Sequence, residues 1–407
     1  MKNKVAIFGG GTVNPIANHL SICSFAKGTT AKHLYNLFKD TKLEPQLYLS
    51  KMASEGKGDF HTNKDLEVLI NAVKENQETK VIILTSAVCD FYYSNGSGNN
   101  KRPDSSMNFI PVLSPSPKIV STIRDKDHKH IFLVAFKNTV GLTKQEMYLA
   151  GLSLCKKASA NLVFVNDTLN GQNMIVTPEE ASYADNIVRT KALQELVDIT
   201  VMRSHLSFTR STVVAGEAIK WDSDLIPSTL REVVEHCIRN KAYKEFNGAT
   251  VGHFAYKVND TTFLTSIRRS NFNDLHKIGL VKVVTDGPDE VTAYGFKPSV
   301  GGQSQRTVFS DHEQMDCIVH FHCPMKLDSR DNIPTRLQRD IECGSHECGK
   351  NTSSGLEEFG NLKAVYLDKH GPNIVFNSKI DHNEVIDFIN ANFNLNQKTG
   401  GYNLEQK

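Results

Sequence analysis

Three continuous apolar runs in the first half of the chain constrain its fold more than any other feature. They read KVIILTSAV, KHIFLVAFK and ANLVFVND, and intervening segments such as NKDLEVLINAVKEN place apolar residues at helical spacing. A strand that is apolar along its whole length is typical of a sheet covered on both faces. Strands that alternate with helices predict a parallel sheet flanked by helices, with ligands at the carboxyl ends of the strands.

The second half loses this alternation and is interpreted as a separate domain. After the helical pattern STLREVVEHCIRNKAYKEF, short extended segments such as GHFAYKV, LVKVVT and EVTAYGF follow one another. We therefore predict an α/β chain of two domains. A Rossmann-like parallel sheet domain covers 1–205, a linker 206–227, an α/β domain with a mainly antiparallel central sheet 228–395, and a flexible tail 396–407.

The bulk composition excludes several classes of protein. The formal net charge is +2, whereas a nucleic-acid-binding protein shows a concentrated surplus of basic residues, so this class is not favoured. No apolar run is long enough to span a bilayer, and the apolar part of MKNKVAIFGGG is too short for a signal peptide. The eight scattered cysteines indicate reduced thiols. We expect a cytoplasmic protein that acts on small molecules and binds neither nucleic acid nor membrane.

Glycine and polar residues follow the predicted strands of the first half. The GGGT turn, with Gly10, Gly11 and Thr12, lets backbone N–H groups approach a phosphate, but a tight turn without a ligand explains it equally well. Asp90 follows one apolar run, where a carboxylate can bind ribose or base, although capping a helix or turn is the commoner role of Asp. Asn166 and Asp167 follow another apolar run. Lysines near these ends are, taken singly, expected to be solvated: Lys101, Lys118, Lys137, Lys156 and Lys157.

Six motifs of this half stand in the order found in the phosphopantothenoylcysteine synthetase family, which is the C-terminal family of DNA/pantothenate metabolism flavoproteins. They are FGGGTVNPI, TSAVCDF, NNKRP, SPSPKIVSTI, LVAFKNT and FVNDT, and the resemblance covers about 1–205. It implies that a nucleoside triphosphate, ATP or CTP with Mg²⁺, activates the phosphopantothenate carboxylate. The cysteine amine then attacks the acyl-nucleotide. The AFK form of the fifth motif resembles the ATP-using branch.

The same resemblance assigns site residues. It implies a nucleotide site formed by Gly10, Gly11, Thr12, Ala87, Asp90, Lys101, Phe136 and Lys137. Lys101, in the low-complexity loop YYSNGSGNNKRPDSS, would close over the triphosphate, and Asn166 is the other residue assigned to catalysis. The chain departs from the family at LSICSFAKGTT, where the family carries SNxSSG with an Asn that contacts the acyl intermediate.

In the second half, CIVHFHCPMK places His320 and His322 two residues apart on a strand, so their side chains share one face. A His-x-His pair is a common half of a zinc site, although two exposed histidines on a strand are at least as frequent. His370, at the end of another apolar strand, is the expected third ligand. A rival cluster with a spacing unlike any standard zinc finger lies in ECGSHECGK: Cys343, His346 and Cys348.

The order FKPSVGG, IVHFHCP, CGSHEC and DKHG resembles the class II aldolase/adducin family over about 228–395. The resemblance implies a class II aldolase-like fold in which His320, His322 and His370 bind a divalent metal, usually Zn²⁺. The metal polarises a carbonyl during aldol cleavage, epimerisation or dehydration of a sugar phosphate. It also implies an oligomer. Adducin-like domains without catalysis are the alternative.

The acid/base glutamate of that family follows KPS directly, where this chain has Val300 and Gly301. Glu347 is the candidate to replace it. The leading interpretation is a bifunctional enzyme, in which a nucleotide-dependent ligase is fused to a metal-dependent, aldolase-like lyase and forms a homo-oligomer, dimeric or tetrameric. Because each half lacks one family residue, a non-catalytic scaffold that binds nucleotide and metal is the alternative. A single enzyme in which one domain supplies the substrate of the other is a third.

Overall fold

A computed structural model describes residues 3–17, 19–94, 106, 108–285, 287, 289–299 and 303–404. The chain divides into two compact units. Unit 1 comprises Met1–Pro178 and Ser182–Ser204, and unit 2 comprises Glu179–Ala181 and His205–Lys407. Within the described residues, no helix combines the length and the apolar character needed to cross a membrane.

Unit 1 is built on a seven-stranded sheet. The strands of unit 1 are β1 (Lys4–Gly9), β2 (Val13–Ala17), β3 (Leu20–Cys23), β4 (Glu44–Leu49), β5 (Thr79–Leu84), β6 (Phe91–Tyr93), β7 (Leu113–Pro115), β8 (Phe132–Thr139), β9 (Leu162–Asp167), β10 (Asn173–Val176) and β11 (Ser182–Tyr183). The large sheet has the order β11-β10-β9-β8-β5-β1-β4, while β2 with β3 and β6 with β7 form two small sheets. Strands β4, β1, β5, β8 and β9 are parallel, which confirms the predicted parallel sheet.

Among the described residues, four α-helices accompany this sheet: α1 (Thr29–Phe38), α2 (Asn63–Glu75), α3 (Lys144–Ala158) and α4 (Arg189–Arg203). Capping boxes start two of them, with Thr62 and Asp65 at α2 and Thr143 and Glu146 at α3. The apolar runs seen in the sequence are the central strands, and Val81–Ile83 of β5 are fully buried.

Unit 2 contains a ten-stranded sheet. The strands of unit 2 are β12 (Arg210–Val214), β13 (Glu245–Phe246), β14 (Ala249–Thr250), β15 (His253–Lys257), β16 (Thr262–Ser266), β17 (Leu280–Thr285), β18 (Glu290–Tyr294), β19 (Cys317–His320), β20 (Thr335–Arg336), β21 (Glu357–Phe359), β22 (Leu362–Leu367) and β23 (Gly371–Phe376). Of these, β13 and β14 form a separate two-stranded sheet. The order in the ten-stranded sheet is β12-β18-β17-β16-β15-β19-β23-β22-β20, with β21 beside β22. Only the β12–β18 and β20–β22 pairs of this described sheet are parallel, so the prediction of a mainly antiparallel sheet is confirmed.

The helices of unit 2 are α5 (Ser228–Arg239), α6 (Leu275–Ile278), α7 (Gln303–Asp311), α8 (His346–Gly355) and α9 (His382–Asn392). An aromatic cluster fills the core beneath α5, where Trp221 packs edge-on against Phe254 with ring centroids 5.7 Å apart. The buried indole N–H of Trp221 donates to Glu235 at 3.0 Å. Trp221 is the single tryptophan of the chain.

Two stretches that the sequence predicted to be loose are part of unit 2. The expected linker 206–227 contains β12, which pairs with β18, and the buried Trp221. The strand could not be recognised from the sequence, because β12 is a largely exposed edge strand in which apolar and polar residues hardly alternate. In the expected flexible tail, Lys398 and Thr399 are buried, and the Thr399 N–H donates to the backbone oxygen of His322 at 3.1 Å.

Candidate functional site

Three histidines converge in unit 2 from two neighbouring strands. His320 ends β19, His322 follows it, and His370 precedes β23, which pairs with β19. Gly371, at φ 143°, makes the approach possible, because a Cβ there would lie 2.1 Å from the backbone oxygen of Phe321. The KHG motif is thus explained by the close contact of one backbone with another beside the HFH segment.

The spacing of the three imidazoles fits a metal site. The Nε2 of His320 lies 3.1 Å from that of His322 and 3.3 Å from that of His370, and ligand atoms of all three lie within 4.8 Å of one another. A tetrahedral zinc ion with Zn–N bonds of about 2.0–2.1 Å separates its nitrogen ligands by about 3.3 Å. Within the described residues, this is the one group of His, Cys, Asp and Glu side chains with such spacing.

The polar groups beside two of the rings favour protons on the side away from the centre. The Nδ1 of His320 lies 2.7 Å from the carbonyl oxygen of Pro372, which can only accept, so Nδ1 carries the proton and Nε2 does not. The Nδ1 of His322 lies 2.9 Å from Oε2 of Glu180, at ion-pair distance but without the alignment of a hydrogen bond. A carboxylate there favours a proton on Nδ1, which leaves the Nε2 of His322 bare. Two Nε2 lone pairs then face each other at 3.1 Å, an arrangement that a cation stabilises.

Burial keeps the imidazoles of His320 and His253 neutral. The pKa of His320 lies well below its ordinary value, chiefly because burial disfavours the charged ring and also because His370 and His253 are close. Burial lowers the pKa of His253 to about 3, with His322 as a further cause. Neutral imidazole is the form that binds a metal ion.

His253 was not assigned a role from the sequence. It opens β15, is paired in register with His320, and its ring centroid lies 4.9 Å from that of His320. The Nε2 of Gln305 contacts Nδ1 of His253 at 3.0 Å and donates to Thr265 Oγ1 at 2.9 Å. The only sequence signal was a histidine at the start of an apolar strand, since the pairing of β15 with β19 joins residues that are far apart in the chain.

The side chains of the rival cluster, Cys343, His346 and Cys348, do not converge on one point as three metal ligands would. His346 contacts Thr209 at 3.2 Å and lies 3.7 Å from Asp289. The Cys348 sulfur accepts from Gln338 at 3.4 Å, and the neighbouring Cys348 thiol together with burial raises the pKa of Cys343 well above its ordinary value. Glu347 lies in the first turn of α8, and within the described residues its buried Oε2 has no hydrogen-bond partner. Its catalytic role stays a prediction, and Val300 and Gly301 lie outside the described residues.

In unit 1 the glycine turn is joined to the loop after β5. Gly11 forms a parallel bridge with Ala87, the Thr12 N–H donates to the Ala87 carbonyl at 3.1 Å, and the Gly11 N–H donates to Ala26 at 3.0 Å. The Thr12 hydroxyl donates to Asn63 at 2.5 Å and accepts from the Cys89 N–H at 2.8 Å. These donors are therefore used within the protein rather than directed at a phosphate.

Packing also explains the glycines themselves. Gly10 adopts φ 100°, and a Cβ on it would lie 2.1 Å from Oγ of Ser50. A Cβ on Gly11 would lie 1.8 Å from the backbone oxygen of Ser24. Because the turn requires glycine with or without a ligand, the assignment of Gly10, Gly11 and Thr12 to a nucleotide site stays a prediction.

The other described candidates of unit 1 lie at or after the carboxyl ends of the strands of the sheet. Phe136 stacks on Phe164 with ring centroids 5.1 Å apart, Lys137 is exposed, and Asn166 lies near the end of β9. The buried Oδ1 of Asn166 has no hydrogen-bond partner among the described residues, so it can accept from a ligand. Asp90 is exposed, and its carboxylate pairs with Lys118 at 2.5 Å. Lys101 lies outside the described residues.

One cation at this edge was missed from the sequence. Arg189, the first residue of α4, donates to Asn173 at 3.2 Å and to Thr30 at 3.0 Å. Its guanidinium lies over the Phe164 ring, 5.4 Å from the centroid, and burial lowers its pKa. No local pattern marked it, because its partners belong to three separate elements.

Comparisons with known proteins give partial matches. No family model matches the chain. The coenzyme A biosynthesis bifunctional protein CoaBC of Thermococcus kodakarensis is 28% identical over 104 residues, 25% of each chain, so the match spans about a quarter of the length of that curated relative. The DNA/pantothenate metabolism flavoprotein from Streptococcus pneumoniae is 19% identical with a TM-score of 0.41, over 50% of this chain and 100% of that one. An aldolase II superfamily protein from Pseudomonas syringae is 14% identical with a TM-score of 0.29, over 40% of this chain and 72% of that one. The first structure is similar to the N-terminal half of the chain and the second to its C-terminal part, and these are the two families that the sequence motifs resemble.

Proposed function

We propose that the chain is a two-unit enzyme whose unit 2 binds a divalent metal ion, Zn²⁺ by preference, through His320, His322 and His370. The observation that carries this proposal is the pair of bare Nε2 atoms 3.1 Å apart. Nδ1 of His320 donates to the Pro372 carbonyl, and Nδ1 of His322 lies 2.9 Å from a carboxylate oxygen of Glu180. Uncharged, buried lone pairs at this separation repel each other unless a cation lies between them.

The proposed reaction class is aldolase, epimerase or dehydratase chemistry on a small carbonyl or phosphorylated substrate. When bound, a divalent ion at this site supplies Lewis acidity toward a substrate carbonyl. The chain's own residues fix the tautomer of His320 and bury all three imidazoles. A neighbouring acid/base group is still required, and Glu347 is the candidate we propose from the sequence.

Metal analysis of the purified protein tests the first part. We expect about one divalent ion per chain in the wild type and its loss in His320→Ala and in His370→Ala. Cys343→Ala is the matched control, because it removes a potential ligand from the rival cluster and leaves the three histidines intact. Retention of the ion in both histidine variants together with its loss in Cys343→Ala would contradict the proposal.

For unit 1 we propose nucleotide-dependent ligation of phosphopantothenate with cysteine, using ATP or CTP and Mg²⁺. The proposal is supported by the six ordered motifs and by the 104-residue match to a CoaBC protein. The unpartnered Oδ1 of Asn166 and the exposed Lys137 at the carboxyl edge of the sheet are available to a ligand.

Incubation with ATP or CTP, phosphopantothenate and cysteine is expected to release pyrophosphate. Lys137→Ala should slow this release, whereas Lys157→Ala, which removes an exposed lysine at the end of α3, should not. Nucleotide binding without pyrophosphate release would favour the alternative, a non-catalytic scaffold that binds nucleotide and metal.

A further inference from the structure

We infer that Glu180 is a positioning residue of the metal centre, acting through His322; this inference rests on the proposed metal-binding function. Glu180 belongs to the segment Glu179–Ala181, which is part of unit 2 although the chain around it belongs to unit 1. Its side chain is 3% exposed, and Oε2 lies 2.9 Å from Nδ1 of His322. A carboxylate buried to this extent requires a partner with a proton or a positive charge.

The backbone of Glu180 is held in a conformation that non-glycine residues rarely adopt. Its φ is +61°, in the left-handed region. The buried ammonium group of Lys398 donates to the carbonyl oxygen of Glu180 at 2.8 Å and to that of Thr399 at 2.9 Å. Thr399 in turn donates its N–H to the carbonyl of His322. A strained residue that is fixed by a buried lysine and directed at a candidate ligand indicates a selected position for its side chain.

The geometry assigns Glu180 to the rear of the ligand rather than to the reacting side. Nδ1 and Nε2 are on opposite edges of an imidazole ring, and Nε2 of His322 faces His320. The carboxylate therefore orients the ring, favours the Nδ1–H tautomer and makes Nε2 a stronger donor to a metal. It does not stand in for the glutamate that is missing after KPS, because it faces away from the shared Nε2 side.

The Pro372 carbonyl performs the same task for His320, but without a charge. A carboxylate adds a negative charge beside three ligands that carry none, so it also offsets part of the charge of a divalent ion. The sequence TPEEASY gave no sign of this role, because Glu180 and His322 are separated by most of unit 2 and by α4.

The test measures metal affinity in the full chain. Zn²⁺ affinity is obtained by competition with a chelator, and the absorption spectrum of the Co²⁺-loaded protein reports the ligand geometry. For Glu180→Gln we expect a 10- to 100-fold loss of affinity and an altered Co²⁺ spectrum. Glu179→Gln is the matched control, since it removes the same charge from the adjacent buried residue, and its affinity should stay within about twofold of the wild type.

The outcomes separate this inference from the function on which it rests. If the wild type binds no metal, both the metal centre and the role of Glu180 are rejected. If the wild type binds but Glu180→Gln binds equally well, only the role of Glu180 is rejected. Should Glu180→Gln fail to fold, Glu180→Asp, which keeps the charge but withdraws it from Nδ1, must weaken binding while its circular dichroism remains that of the wild type. Unchanged affinity in Glu180→Asp would then reject the role.

Discussion

The glycine turn of unit 1 and the HFH segment of unit 2 are both family motifs at the end of a strand, but the structure uses their polar groups differently. At the glycine turn, the N–H groups of Gly11 and Thr12 and the hydroxyl of Thr12 all bond within the protein. At the HFH segment, the Nε2 atoms of His320 and His322 face each other with their protons on the far side. A motif indicates a ligand most strongly where its polar atoms are not already bonded within the protein.

The largest expected effect comes from metal and concerns unit 2. A ligand at 1,000 times its dissociation constant stabilises the folded state by about 4 kcal/mol. We expect Zn²⁺ at this excess to raise the free energy of unfolding by that amount, monitored by the fluorescence of Trp221, which is the single tryptophan and lies in unit 2.

A chelator should reverse the stabilisation by Zn²⁺, and His322→Ala should show none. His346→Ala, whose ring contacts Thr209, is the control that should behave as the wild type. Equal stabilisation in His322→Ala would place the ion elsewhere.

The next largest effect is expected at the glycine turn. A Cβ in Gly11→Ala would lie 1.8 Å from a backbone oxygen, so we expect a loss of about 3 kcal/mol in the stability of unit 1. Urea unfolding followed by circular dichroism measures it, with the Trp221 signal unchanged.

Gly56→Ala is the comparison variant for Gly11→Ala, because Gly56 has a positive φ but no atom within 4 Å of a Cβ. It should lose about 1 kcal/mol. Similar losses in the two variants would show that packing does not dictate Gly11.

Thr12→Val tests whether the hydroxyl is structural. Valine removes the hydroxyl that accepts from the Cys89 N–H and donates to the Asn63 amide oxygen, and these two groups keep only their mutual hydrogen bond at 3.3 Å. We expect the two lost bonds to cost about 2 kcal/mol. Thr12→Ser keeps the hydroxyl and should recover most of this loss in the same unfolding measurement. If Thr12→Val is as stable as the wild type but fails to bind ATP, the hydroxyl serves the nucleotide instead.

The smallest effect is a pH dependence at Asp167. Burial raises the pKa of this carboxyl, but N–H groups of Leu142, Gly141 and Asn170 outweigh burial and hold the pKa well below its ordinary value. Its stabilisation is therefore present above about pH 3.9 and is lost as the pH falls through the folded-state pKa. Between pH 5 and pH 2 the wild type should lose more stability than Asp167→Asn, as judged by urea unfolding at each pH. Parallel pH profiles would exclude this contribution.

Local patterns predicted both sheets and the three histidines, since strand and helix periods and the spacing in HFH are properties of neighbouring residues. They could not predict that His253 pairs with His320 or that Arg189 spans three elements, because such contacts join residues far apart in the chain. They also could not show that the donors of the GGGT turn are already satisfied. The strand within the predicted linker was missed for a related reason, since β12 is recognised only through its partner β18.

The division of the chain has a consequence for its modularity. The polypeptide passes from unit 1 to unit 2 at Glu179, returns at Ser182 and passes again at His205. A gene cut at codon 205 would keep both large sheets whole but would leave Glu180 on the wrong polypeptide. Recombination that separates the two units at residue 205 would thus detach the segment Glu179–Ala181 from the rest of unit 2. This favours inheritance of the two units as a single reading frame.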